Sequence, residues 1–201
     1  MELKRVVITG LGTINPLGNN IRDFFKNLQT GVSGASLIDR FDTSLFKTKF
    51  ACEVKDFDPA NFGIDRKEAR KLDRFTLFAL AATSEAIDDC KLDLEKVDKT
   101  RVGVIIGSGI GGIETLTQEI MGYCEGGNIP RFNPFLIPKL IPDIAAGCIS
   151  IKYGFMGPNY ATVSACASSA HAIGDSFNLI RLGKADVIVS GGAEAGITIP
   201  S

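Results

Sequence analysis

The 201-residue sequence predicts an α/β protein with a mainly parallel sheet layered with helices, and three observations carry that expectation. Short apolar, β-branched runs recur at residues 5–9, 101–106, 160–164 and 186–190, each followed by glycine or another small residue. Segments of helical periodicity separate these runs, and no Pro/Ser-rich linker or low-complexity tract intervenes. Near-continuous apolar strands belong to sheets covered on both faces, which is what alternation of strand and helix builds.

Each element follows in chain order. The run 5–9 leads into Gly10. Ile21, Phe24, Phe25 and Leu28 then repeat at helical spacing, with Asn20 placed to cap the helix and Gly31 to stop it. Residues 66–90 read as one longer helix, charged at its start and almost wholly apolar from Phe75 to Ala82; a helix apolar all round is buried between layers. The strand run 101–106 precedes a helix over 113–124. Further helices fit 140–153 and 167–182, the last closed by Gly183 before the strand run 186–190. Residues 38–59 and 126–138 read as excursions from the sheet.

Composition excludes several classes of protein. The chain is 45% apolar and 22% charged, which rules out a disordered, collagen-like or disulfide-scaffold protein. A net charge of -1 gives no bulk attraction for nucleic acid or an anionic membrane. No apolar run reaches the ~18 residues of a membrane span, and the N-terminus lacks the shape of a signal peptide, so a cytoplasmic location is expected. The five cysteines, at 52, 90, 124, 148 and 166, include no CxxC pair and stand beside a single histidine. Reduced thiols are therefore expected, with no zinc or iron–sulfur site.

The chemistry concentrates at Cys166. A strand-like run enters it through small residues and a helix pattern begins directly afterwards. A thiol at such a junction faces the unpaired N–H groups and positive dipole end of the helix, which favour thiolate and can hold an oxyanion formed at an attacked carbonyl. The alternative is a buried small hydrophobe, and the local pattern leaves both open for Cys166. Cys52, Cys90, Cys124 and Cys148 have no such setting and read as the latter. His171 lies five residues further along the same helix, about 7.5 Å higher and about 140° around, and so reads as a packing residue and not the partner of the thiol.

Two other motifs admit more than one meaning. Residues 107–112, Gly-Ser-Gly-Ile-Gly-Gly, satisfy the GxGxxG spacing of a dinucleotide site. The following helix, however, leads into Glu-Gly-Gly-Asn-Ile-Pro and not into a second strand ending in a ribose-binding acid, so a tight turn at a close backbone approach is the competing reading. Arg66, Arg70 and Arg74 share one helical stripe with Lys67 and Lys71 beside it, which makes either a solvated face or a surface that steers an acidic partner.

Taken together, residues 6–12, Asn15 to Gly18, 66–73, 107–112, Tyr153-Gly154 with Gly157-Pro158, 164–169 and 191–194 resemble, in order and spacing, the β-ketoacyl-acyl carrier protein synthases. The resemblance is nearest to the type II elongation enzymes. It implies a thiolase-like fold, of which this chain is one half of an αβαβα arrangement, and a homodimer. It also implies that Cys166 accepts the growing acyl chain from acyl carrier protein. The enolate left when malonyl carrier protein loses carbon dioxide then attacks that thioester, with no metal or redox cofactor. Ile110, Phe135 and Leu136 would line the acyl pocket, Phe135 and Leu136 in part across the dimer. Lys67, Arg70 and Lys71 would dock the acidic carrier protein. Two family histidines and a lysine match nothing in this chain, so residues 1–201 are expected to be the nucleophile-bearing N-terminal domain. The other readings are an incomplete fragment that only folds or dimerises, and a thiolase or polyketide relative.

Overall fold

A computed structural model describes residues 3–200. In chain order the elements are α1 (Ile21–Gln29), β1 (Ser36–Leu37), β2 (Phe50–Ala51), α2 (Arg66–Ala69), α3 (Arg74–Cys90), β3 (Val102–Gly107), α4 (Ile113–Glu125), α5 (Leu136–Leu140), α6 (Ile144–Tyr153), β4 (Asn159–Thr162), α7 (Ser168–Arg181) and β5 (Val187–Gly192). The central sheet is parallel, with the order β4-β3-β5. Every residue of β3 is buried. Its alternating side chains separate two layers: Val102, Val104 and Ile106 join Phe75, Leu80, Ala145 and Ile149 of α3 and α6 in the core. On the opposite face Gly107 meets the backbone of Ser168, and Ser176 of α7 bonds Ser190 of β5 at 2.8 Å. The helices therefore cover both faces, as the strand composition implies.

Helix α1 begins where expected: the Asn20 side chain accepts the Asp23 N–H at 2.8 Å, and Gly31 follows the helix with φ 70. The expected single helix over 66–90 is broken. Asp73 ends the continuity because its carboxylate accepts the Phe75 N–H at 3.3 Å as the cap of α3, and also accepts the N–H and hydroxyl of Thr115 at 3.0 and 2.6 Å. A short acidic side chain that bonds its own backbone competes with helix propagation, and burial of Asp73 beside α4 decides the contest. The expected helix over 140–153 also divides. Pro142 holds Ile141 extended at ψ 136, separating α5 from α6.

Residues 5–9 are not a strand. Val7 and Ile8 are exposed, and the segment beyond them lies along α3: the N–H groups of Leu11 and Thr13 go to the carboxylates of Asp89 and Glu85, both at 2.9 Å. Gly10 and Gly12 permit this approach, since a Cβ at either would collide with the α3 backbone. The antiparallel pair β1 and β2 lies inside what reads from sequence as an excursion. No helix among the described residues is long and apolar enough to cross a membrane.

Candidate active site

The register aligns Gly107, Thr162 and Gly192 across the three strands, so the segments leaving β3, β4 and β5 emerge together at the C-terminal edge of the sheet. Ligands of open parallel sheets bind at that edge. Here a cavity of about 450 Å³ is lined by Ser108, Gly109 and Ile110 after β3, Ala165, Cys166, Ser168 and Ser169 after β4, and Ala193 and Glu194 after β5.

Cys166 sits in a 3-10 turn, Ala165–Ala167, between β4 and α7. Its neighbour Ala165 has φ 50, a left-handed conformation that costs an L-residue about 1 kcal/mol and persists only where surroundings enforce it. Ser168 supplies the enforcement. Its buried hydroxyl donates to the Ala165 carbonyl at 2.7 Å and accepts the Ser164 N–H at 2.9 Å, while Thr162 donates to the Ser168 carbonyl at 2.7 Å. Gly107 is required beneath this turn, because a Cβ there would strike the backbone of Ser168. Helix α7 has no side-chain cap among the described residues; the 3-10 turn runs straight into it, with the Ser168 N–H on the Ala165 carbonyl, so the start of the helix and its positive dipole end adjoin the cavity. The Cys166 thiol is exposed, against the buried alternative.

His171 is exposed and its Nδ1 lies 2.6 Å from the Ser164 hydroxyl, so it pairs beside the turn and not with Cys166, and it does not pack in the core. Cys148 packs against the core, and burial pushes its thiol pKa up. Cys90 is half-buried, with its thiol 3.2 Å from the Ile87 carbonyl. Cys52 and Cys124, expected to be buried, are exposed; both stand on segments that the core does not reach. Among the described residues no group of three or more His, Cys, Asp or Glu is placed to hold a metal ion.

The glycine turn 108–112 is filled by the chain itself. A Cβ on Gly111 or Gly112 would collide with the carbonyls of Leu140 and Lys139, and the Glu194 carboxylate accepts the Gly109 N–H at 2.7 Å. A carboxylate in that position opposes a pyrophosphate, so the close-packing reading holds over the dinucleotide one. Ile110 lines the Cys166 cavity with its side chain 52% exposed. Phe135 and Leu136 do not line it within this chain; they stand at the start of α5, where the Lys71 ammonium lies 5.9 Å from the centre of the Phe135 ring.

Lys67, Arg70 and Lys71 are exposed and form no salt bridge among the described residues. The break at Asp73 removes Arg74 from their stripe. Its guanidinium lies over the Phe78 ring at 5.0 Å, and burial, then the neighbouring Arg40, lowers its pKa. A second cavity, of about 160 Å³, lies between Arg40, Cys52, Glu53, Arg74 and Glu194. Glu53 is buried there; one carboxylate oxygen takes Lys55 at 2.7 Å and the other has no hydrogen-bond partner among the described residues. Reasoning from sequence missed Ser168, Asp73 and the place of Glu194. All three fall within the segments 66–73, 164–169 and 191–194 that carry the family resemblance, which marks the segments but not the contacts these side chains make.

Residues 3–200 match the family described as the β-ketoacyl synthase N-terminal domain. The chain is 44% identical over 198 residues to 3-oxoacyl-[acyl-carrier-protein] synthase 2 of Synechocystis sp., covering 98% of this chain and 47% of that protein. Among solved structures, the ishigamide ketosynthase/chain length factor superposes with a TM-score of 0.88 at 28% identity, over 96% of this chain and 48% of that one. A type II PKS acyl-carrier protein in complex with its ketosynthase, bound to a hexaketide, gives 0.81 at 26% identity, over 96% and 51%. The chain spans about half the length of the curated relatives it matches.

Proposed function

Because this chain belongs to the β-ketoacyl synthase family through its N-terminal domain, we propose that it carries the acyl-accepting half of a condensing enzyme of fatty-acid elongation. The observation that carries the proposal is Cys166, exposed on an enforced left-handed turn at the mouth of a cavity and directly ahead of the N-terminus of α7. In the first step the Cys166 sulfur attacks the thioester carbonyl of an acyl carrier protein. A C–S bond forms to Cys166, the carbonyl oxygen becomes an oxyanion facing backbone N–H groups, and collapse expels the phosphopantetheine thiolate, which takes a proton. In the second, malonyl carrier protein loses carbon dioxide and its enolate carbon attacks the Cys166 thioester. The Cys166 thiolate leaves, and a 3-oxoacyl product two carbons longer is released. The covalent thioester divides one difficult condensation into two easier steps, and neither needs a redox cofactor or a metal.

The partner in this reading is acyl carrier protein, an acidic protein for which exposed Lys67, Arg70 and Lys71 supply unpaired positive charge. One of the structural relatives is itself a ketosynthase bound to its acyl-carrier protein, which supports the assignment. The reading includes a homodimer, supported by exposed apolar side chains on and beside the outer strand: Val163 after β4, and Ile173 and Phe177 on α7. It includes a cytoplasmic location, supported by five unpaired cysteines. The curated relatives, at 44 to 45% identity, favour fatty-acid over polyketide substrates, since the neighbour described as a type II PKS ketosynthase lies at 26%. The test is acylation of the protein, expressed with its native flanking sequence, by acyl carrier protein loaded with a fatty acyl chain. Mass spectrometry should place the adduct on Cys166, and an adduct that survives Cys166→Ala would overturn the assignment.

A further inference from the structure

Glu194 follows β5 by two residues and takes no part in the steps above. One of its carboxylate oxygens accepts the N–H of Gly109 at 2.7 Å, the N–H of Ile110 at 3.1 Å and the hydroxyl of Ser108 at 3.4 Å. That hydroxyl in turn accepts the Gly111 N–H at 3.2 Å, so a single side chain from one strand gathers the polar groups of the turn that leaves another. The carboxylate rests against Gly109, where a Cβ would stand 3.1 Å from it. On its far side the turn is stopped by α5, whose Leu140 carbonyl accepts the Gly112 N–H at 2.9 Å. The Ile110 side chain is half-exposed, so its position is set mainly by its backbone, and its own N–H is one of those Glu194 holds.

We propose that Glu194 is a positioning residue that fixes Ile110 over the Cys166 cavity and thereby sets the acyl chain length the cavity accepts. The proposal rests on the reading of Cys166 and Ile110 as the acyl site. Charge-assisted hydrogen bonds are about twice as strong as neutral ones, and β5 is held in register against β3 up to Gly192 opposite Gly107. The turn is thus referenced to the sheet that also carries Cys166, and not to a loop. Moving Ile110 by a fraction of its own width changes the depth available to an acyl chain, where one methylene is worth about tenfold or more in discrimination.

The test uses the protein with its native flanking sequence and compares kcat/KM for carrier-bound acyl chains of about six and about fourteen carbons, a span wide enough for a pocket-depth change to register. Wild type, Ile110→Ala, Glu194→Ala, Glu194→Gln and Glu194→Asp are measured side by side. Glu194→Ala is expected to shift the long-to-short ratio in the same direction as Ile110→Ala, by about fivefold or more, while Glu194→Gln, whose carbonyl still accepts both N–H groups, stays within about twofold of wild type. Glu194→Asp keeps the charge but shortens the reach, and is expected to shift the ratio too, which serves if the alanine variant does not fold. A ratio unchanged in Glu194→Ala and Glu194→Asp while Ile110→Ala shifts it overturns the proposal alone. A ratio unchanged in Ile110→Ala removes the acyl-pocket reading and the proposal with it.

Discussion

Asp73 offers the sharpest quantitative prediction, because one buried carboxylate joins the starts of two helices. It caps α3 through Phe75 and receives two hydrogen bonds from Thr115 in the first turn of α4. Removing an N-cap costs about 1 kcal/mol. Leaving the buried N–H and hydroxyl of Thr115 without an acceptor adds about 1 to 1.5 kcal/mol for each, so Asp73→Ala should lose about 3 to 4 kcal/mol. For a chain of this size that corresponds to a fall in Tm of about 10 °C. Asp73→Asn keeps a carbonyl acceptor at the cap and should lose only about 1 to 2 kcal/mol. Urea denaturation of both variants, together with Thr115→Val and the Asp73→Asn/Thr115→Val double variant, measures the coupling, expected at about 1 kcal/mol or more. A loss below about 1 kcal/mol in Asp73→Ala, the range of ordinary surface substitutions, or strict additivity in the double variant, would refute the assignment of the helix break to this carboxylate.

Three further outcomes follow from the same geometry. Ser168→Ala removes both hydroxyl bonds that hold the left-handed Ala165, and should lower the rate of Cys166 acylation about tenfold while costing about 2 kcal/mol; unchanged acylation would separate the turn geometry from reactivity. Replacing Lys67, Arg70 and Lys71 by Glu should lower kcat/KM for carrier-bound substrate about tenfold at low salt and flatten its salt dependence, with little effect on a small, uncharged acyl thioester; equal effects on both donors would leave these side chains a solvated face. Asp186 is paired with Arg101 at 2.9 Å and Lys4 at 3.0 Å, and these two cations hold its carboxyl well below the usual carboxylate range. A carboxylate whose pKa falls on folding stabilises above its ordinary value and loses that contribution as pH drops through the folded one. The stability gap between wild type and Asp186→Asn should therefore be constant above about pH 5 and close progressively below it; a gap independent of pH would show that the pair contributes nothing.

The sheet and its layering were legible because β3 is apolar on both faces and buried throughout, the pattern of a doubly covered strand, while β5 begins with the apolar run Val187 to Val189. What was not legible depended on partners distant in sequence. The run 5–9 has the composition of a strand, yet its neighbourhood is set by Glu85 and Asp89, nearly eighty residues away, whose carboxylates take the N–H groups of the adjoining segment. The helix expected over 66–90 has no proline and no glycine to break it. The break arises from Asp73, whose alternative partner Thr115 is invisible to periodicity. By contrast, the division at Pro142 follows from a local rule, since a proline biases the residue before it away from helical backbone.

The site shows the same division between local and distant information. Cys166 was readable because a nucleophile turn is a local pattern: a strand, small residues and a helix start. Ile110 was placed beside it only through the family resemblance, and Ser108 and Glu194 were not readable, since all three reach the same cavity from two other strands. The parallel register explains why they converge. With Thr162, Gly107 and Gly192 side by side, every segment that leaves the sheet does so at one edge, and the two glycines, on the central and one outer strand, let the α7 start approach the sheet closely. The glycines that imitated a dinucleotide motif serve this convergence. Their side-chain space is occupied by Ser168 at Gly107, by α5 at Gly111 and Gly112, and by the Glu194 carboxylate at Gly109. A larger residue at Gly107 or Gly192 would push α7 outward and carry Cys166 with it, so the spacing of these glycines is a condition on where the thiol stands.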